Sequence, residues 1–283
     1  APLLQEEVRK FGFGSDPGIA LPFAFDGTVP DAELKKEYAE RGVISEIEGS
    51  GYFTGDNVQL AIGQGLLSAS PLQLAVGYST IANKGNVLRP EIIKAIYEPG
   101  VPDSDVQGYV DLSEARLAEE PNVNGEVVRQ LPLSRESWEE IDRGLARVIT
   151  GPGTQTSSGY RSTTGEKLFF YYPGDAIPLG GKTGTAQGAG NYPWNDSSAF
   201  AAYSRDSDRP YTAVAYFEKA GYGSQAAAPA VKCMFLQMSG IAPADPVVLS
   251  DALDTSSTLP AQPRQLPDTD CFNGRFTDFG VTE

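Results

Sequence analysis

The stretch "LGGKTGTAQG", residues 179–188, sets Lys182 and the hydroxyls of Thr183 and Thr185 among glycines, between two apolar runs. On an edge strand, that order presents one ammonium, two hydroxyls and, at Gly184, backbone unshielded by a side chain. These groups suit an acyl-transfer site that grips a peptide carboxylate. The cation and hydroxyls would hold the anion, the strand would pair with an extended substrate, and one backbone N–H would face an oxyanion. A tight turn carrying a solvated lysine is the competing reading. A phosphate loop is excluded, because Gly-x-x-x-x-Gly-Lys needs glycine at position 176, which is Ala176.

The remaining inventory narrows the chemistry. The 283 residues contain no histidine, which rules out a Ser-His-Asp triad and leaves Ser, Lys, Tyr and carboxylates to move protons. With Cys233 and Cys271 the only thiols, no metal or other cofactor is expected. A Cys233–Cys271 bridge would pin the C-terminal tail with a chain-entropy gain of roughly 4 kcal/mol and would suit an oxidising, extracytoplasmic setting. Two unrelated thiols are the alternative. A formal charge of -15 repels nucleic acid and anionic lipid, so nucleic-acid partners are not expected. No run of 18 apolar residues and no leader sequence are present, and "APLLQEEVRKFGFG" begins as if a longer element had been cut.

The elements that must position Lys182 read as follows. Residues 12–31 are crowded with Gly and Pro and predict an irregular surface loop. "SPLQLAVGYSTIANKG" predicts a buried helix with Ser70 as N-cap, Pro71 at its first position and Gly85 ending it; Gly77 inside it predicts close approach of another element. "VLRPEIIKAIYE" predicts one short strand, and the Pro- and acid-rich residues 99–133 predict a surface excursion. A second helix follows, with Trp138, Ile141, Leu145 and Val148 on one face and Gly151 closing it. Ser134 or Ser137 could cap it, and Ser137 with Glu140 makes the better capping box. Three strands in "IPLGGKTGTA", "SSAFAAYSR" and "PYTAVAYFEKA" predict an antiparallel meander. The loop joining the first two strands carries Tyr192 and Trp194, which would either line a groove or act as packing lids. A closing helix at 229–238 would bury Val231, Phe235 and Met238, and the tail from 241 to 283 predicts no regular structure.

With these motifs in hand, the sequence resembles the penicillin-binding transpeptidases. "KTGTAQ" is similar to their third signature, Lys-Thr/Ser-Gly. "GYFTGDNVQLAIGQGLLSASPLQLAVGYSTIANKGNVLRP" is similar to their segment of Gly-Gln-Gly followed by Thr/Ser-Pro-Leu-Gln-Leu-Ala and Ala-Asn-x-Gly. "FGFGSDPGIALP" with "GTVPD" resembles the loop ahead of it, and "AAAPAVKCMF" the closing helix. Residues 9 to about 240 carry the resemblance, which leans to class B, elongation-type enzymes resembling penicillin-binding protein 2. Gly63, Gln64 and Gly65 read as a structural turn leading into the Ser70 helix rather than as site residues.

The resemblance implies an α+β, penicillin-recognising serine transpeptidase/β-lactamase-like fold, an antiparallel sheet flanked by helices, incomplete in this chain. Residues 1–240 would be the C-terminal portion of that domain. It further implies a catalytic role for Lys182 and substrate binding by Thr183, Gly184 and Thr185, with peptidoglycan stem peptides and β-lactams as ligands. Elongation-machinery membrane proteins would be partners, at the extracytoplasmic face of a bacterial membrane. One departure stands out: the family's Ser-x-x-Lys nucleophile and Ser-x-Asn motif occur nowhere in the 283 residues. The N-terminal part of the same domain, separate or preceding, would have to supply them. A non-catalytic peptide- or partner-binding module and a serine β-lactamase are the alternatives.

Overall fold

The computed structural model describes residues 3–93, 125–157, 172–188 and 196–239, with short pieces at 96–97, 117–119, 159–161, 164 and 168–169. Four helices open the chain: α1 (Leu3–Lys10), α2 (Ala32–Glu40), α3 (Glu46–Gly49) and α4 (Thr54–Ala61). Asp31 caps α2, its carboxylate accepting from the Leu34 N–H at 2.9 Å. Lys35 on α2 is buried, and its ammonium meets Asp56 at 2.6 Å and lies 4.7 Å from the centroid of the Phe53 ring. A buried cation is tolerable only when paired in this way.

Residues 12–31 form the expected loop, held to the body by a single antiparallel bridge, Thr28 with Ser68. The larger tie is one side chain. In α5 (Pro71–Ala82), Ser70 and Gln73 make a reciprocal capping box, the Gln73 Oε1 accepting from the Ser70 N–H at 3.0 Å. At its other end the Gln73 amide donates to the carbonyls of Gly12, Ser15 and Asp26 at 3.3, 3.0 and 2.7 Å. Gln73 is only 2% exposed, so helix cap and loop anchor share one buried group. Gly77 faces the Phe13 ring, which a Cβ there would meet at 3.5 Å, an ordinary packing distance that does not itself demand glycine.

Beyond α5 the single expected strand is divided. β1 (Asn86–Leu88) stops short of Pro90, which has no N–H to donate to a ladder, and β2 (Ile96–Tyr97) pairs instead with β3 (Leu117–Glu119). β1 pairs with β4 (Val127–Gln130), a strand that lies within the range 99–133 assigned to the excursion. The last residues of the range assigned to the excursion belong to the core, because Leu131 packs with Val87 and Trp138. The following helix, α6 (Arg135–Thr150), is capped by Ser134 rather than Ser137, its hydroxyl accepting from the Ser137 N–H at 3.2 Å. The earlier start adds an Arg135–Glu139 pair at 2.6 Å. Trp138, Ala146 and Ile149 are its fully buried residues, a face rotated slightly from the one expected.

A short hairpin of β5 (Thr154–Thr156) and β6 (Gly159–Arg161) precedes the meander of β7 (Leu179–Ala186), β8 (Ser197–Ser204) and β9 (Thr212–Phe217), antiparallel in the order β7-β8-β9. The closing helix α7 (Ala227–Ser239) buries Ala227, Ala228, Val231 and Phe235 against Phe200, Ala202, Ala213 and Ala215 of one sheet face. Helix α5 packs on the same two strands without joining that cluster, and so covers the opposite face. Met238 is 40% exposed, contrary to expectation, because it sits in the last turn beyond the residues that reach the sheet. No helix among the described residues is long and apolar enough to cross a membrane. The tail 241–283 lies outside the described residues.

Candidate functional site

Strand β7 places Lys182, Thr183, Gly184 and Thr185 on the outer edge of the meander, paired with Ala201, Phe200, Ala199 and Ser198. Its first half is packed tightly. A Cβ on Gly180 would lie 2.7 Å from the Tyr203 ring, and one on Gly181 2.9 Å from the Ala201 carbonyl oxygen. The glycines therefore let β7 sink against β8. Lys182 is then the first residue to emerge into solvent. Its ammonium donates to the Thr183 carbonyl at 2.8 Å, with the Thr183 hydroxyl 3.4 Å away, and it forms no ion pair among the described residues. A Cβ on Gly184 would meet Ala199 alone, its methyl at 3.4 Å and its carbonyl oxygen at 3.9 Å, so Gly184 keeps the strand unshielded.

Three contacts hold this strand. Arg205 grips Asp142 of α6 through two nitrogens, at 3.0 and 2.7 Å, while its backbone N–H donates to the Pro178 carbonyl at 2.8 Å. The Tyr203 hydroxyl donates to the same carboxylate at 2.7 Å. Burial pushes the Asp142 carboxyl up, but the bonds from Arg205 and Tyr203 outweigh it and hold the group below its ordinary range. Tyr203 is pushed up, by burial first and then by Asp142.

At the other end Gly223 lies so close that a Cβ there would come within 2.5 Å of the Gly184 oxygen, and its N–H donates to the Thr185 hydroxyl at 3.3 Å. The third contact comes from Gln64, whose side-chain amide donates to the Thr185 carbonyl at 2.8 Å. Gly63 and Gly65 both adopt φ of +73°, a left-handed conformation that glycine takes without strain, and this turn aims the Gln64 side chain at β7.

The structure thus brings the four predicted residues together on one open edge and adds Gln64 and Gly223, which sequence reasoning left out. The recognisable Gly-Gln-Gly was the available signal for Gln64; nothing marked Gly223. Two clefts, of about 620 Å³ beside Gln5, Arg9 and Tyr52 and about 320 Å³ beside Leu72, Arg89 and Thr212, lie elsewhere, and β7 lines neither. Cys233 is disulfide-bonded, whereas Cys271, Tyr192 and Trp194 lie outside the described residues.

An antiparallel sheet with helices on both faces and Lys-Thr-Gly on its edge strand defines a domain of the penicillin-recognising class. The chain belongs to the penicillin-binding protein transpeptidase domain family, whose description "Penicillin binding protein transpeptidase domain" matches residues 3–235. It is 28% identical over 241 residues to the peptidoglycan D,D-transpeptidase MrdA of Haemophilus influenzae, covering 80% of this chain and 31% of that protein. Penicillin-binding protein 2 of Pseudomonas aeruginosa, solved with WCK 5153, superposes with a TM-score of 0.54 at 21% identity, over 92% of this chain and 46% of that one. Penicillin-binding protein 3 of Mycobacterium tuberculosis, solved with ampicillin, gives 0.51 at 24%, over 93% and 48%. The chain therefore spans about a third of the curated relative and under half of these solved chains.

Proposed function

We propose that this chain is the Lys-Thr-Gly half of a class B peptidoglycan D,D-transpeptidase that cross-links cell-wall stem peptides and is acylated by β-lactams. The observation that carries the reading is the open edge of β7, with Lys182 solvent-facing at its centre and no carboxylate paired to it among the described residues. The serine that is acylated lies in polypeptide outside these 283 residues, since no Ser-x-x-Lys occurs within them.

In the reaction, that serine loses its proton to the lysine three residues on and attacks the penultimate D-Ala carbonyl. The new C–O bond forms as the C–N bond breaks, and D-Ala leaves with a proton. The amine of a second stem peptide then takes the acyl group and returns the proton to the serine. Lys182 supplies positive potential beside the nucleophile, Thr183 and Thr185 bind the terminal carboxylate, and the Thr185 N–H polarises the reacting carbonyl. The domain works on the extracytoplasmic side of a bacterial membrane, beside membrane proteins of the elongation machinery, with Cys233 bridged to Cys271.

Labelled penicillin tests the proposal. The intact protein should form an adduct that survives denaturation, and Lys182→Ala should abolish it; labelling at the parental rate would refute the assignment. The absence of Ser-x-x-Lys favours one other reading, a non-catalytic module that binds wall peptide. Such a module would bind stem peptide yet leave no covalent label.

A further inference from the structure

Along the open outer edge of β7, two backbone acceptors are already engaged. Its register with β8 runs from Leu179–Ser204 to Ala186–Ser197 without a shift, so successive residues turn their N–H and C=O groups alternately toward β8 and away from it. The Pro178 carbonyl accepts from the Arg205 N–H, which points the even-numbered residues inward and the odd-numbered ones out. Thr183 and Thr185 therefore offer their carbonyls to whatever lies along the free edge. Both carbonyls are taken by side chains of this chain, Thr183 by Lys182 and Thr185 by Gln64, each at 2.8 Å.

The two occupants differ. Lys182 is a neighbour on the same exposed strand and can rotate away freely. Gln64 comes from 121 residues earlier, on a turn fixed by Gly63 and Gly65 and by its own N–H bonded to the Gln59 carbonyl at 2.8 Å. An extended acyl donor on this edge needs an outward carbonyl for its own amide N–H. The one beside the proposed oxyanion donor belongs to the same residue, Thr185. The Gln64 carboxamide offers the same kind of N–H that such a donor would bring.

We infer that Gln64 is a specificity-determining residue for the acyl donor: it holds the Thr185 carbonyl until a ligand that carries an amide N–H displaces it. A ligand without that N–H gains nothing from the displacement and acylates with Gln64 in place. The inference rests on the transpeptidase reading above.

The test uses the intact protein, including the segment that carries the acylated serine. Second-order acylation rates are measured for benzylpenicillin, which bears an acylamino N–H beside its β-lactam carbonyl, and for penicillanic acid, which bears only hydrogen there. In Gln64→Ala the ratio of benzylpenicillin to penicillanic acid should rise roughly five-fold, as expected when one neutral hydrogen bond no longer has to be broken. Gln64→Glu keeps the shape of the side chain but has no N–H to donate, so the ratio should rise there too, which covers the case of an alanine variant that does not fold. An unchanged or lowered ratio in a folded, acylated variant overturns the inference. A parental protein labelled by neither compound overturns the transpeptidase reading, and the inference with it.

Discussion

Glycine at 180 is a test of how the site is seated. Tyr203 cannot retreat from an added methyl without straining its 2.7 Å bond to Asp142, so Gly180→Ala should lower stability by about 2 kcal/mol, read as a shift in the urea midpoint. Lys182→Ala should leave that midpoint within about 0.5 kcal/mol, because the side chain is exposed and bonds only to the neighbouring Thr183 among the described residues, while removing penicillin labelling. The two substitutions separate building the strand from using it. The placing of Lys182, Thr183, Gly184 and Thr185 along one strand was legible in the sequence because the four are adjacent in one short stretch. Gln64 and Gly223 were not, because each acts through a contact with β7 that only the folded chain creates.

Among the elements, those with self-contained signals were read well. Ser70-Pro71 announced α5, and three strand-like runs joined by short connections announced the meander. Local details decided the rest: Pro90, with no N–H for a ladder, ends β1, Ser134 caps α6 one turn ahead of the better capping box, and Met238 falls in the last turn of α7, past the sheet. Helices α2 to α4 went unassigned, their apolar stripes being weak and their ties mostly polar. Gln73→Leu should cost about 2–4 kcal/mol, since three loop carbonyls lose their donor in a buried setting, and proteolysis within residues 12–31 should accelerate. Acid should weaken the same architecture. Asp31, Asp56 and Asp142 all titrate below their ordinary values when folded; in each, burial opposes the shift and is outweighed by hydrogen bonds from Arg9, Lys35 or Arg205 and from nearby donors. Their contribution is complete above about pH 5 and is lost as pH falls through the folded-state values. Urea midpoints should therefore drop between pH 5 and pH 3, and Asp142→Asn should make that slope shallower.

For the molecule as a whole, uncovered apolar surface is the telling property. Phe23 is 100% exposed and Ile47, Phe53, Val58 and Ile62 stand largely in solvent, on a chain whose three-stranded sheet has β7 and β9 as its outer strands among the described residues. The chain alone should bind an apolar dye and self-associate in sedimentation velocity, and both should fade when the complementary part of the domain is added. A dye-silent monomer would count against a missing partner segment. The pairing of β1 with β4 has a separate consequence. Because Asn86 faces Gln130 and Leu88 faces Val127, everything threaded between them departs from and returns to one narrow doorway. A foreign segment exchanged for that cargo need not move either strand, which makes the doorway a natural port for grafting an epitope or a reporter.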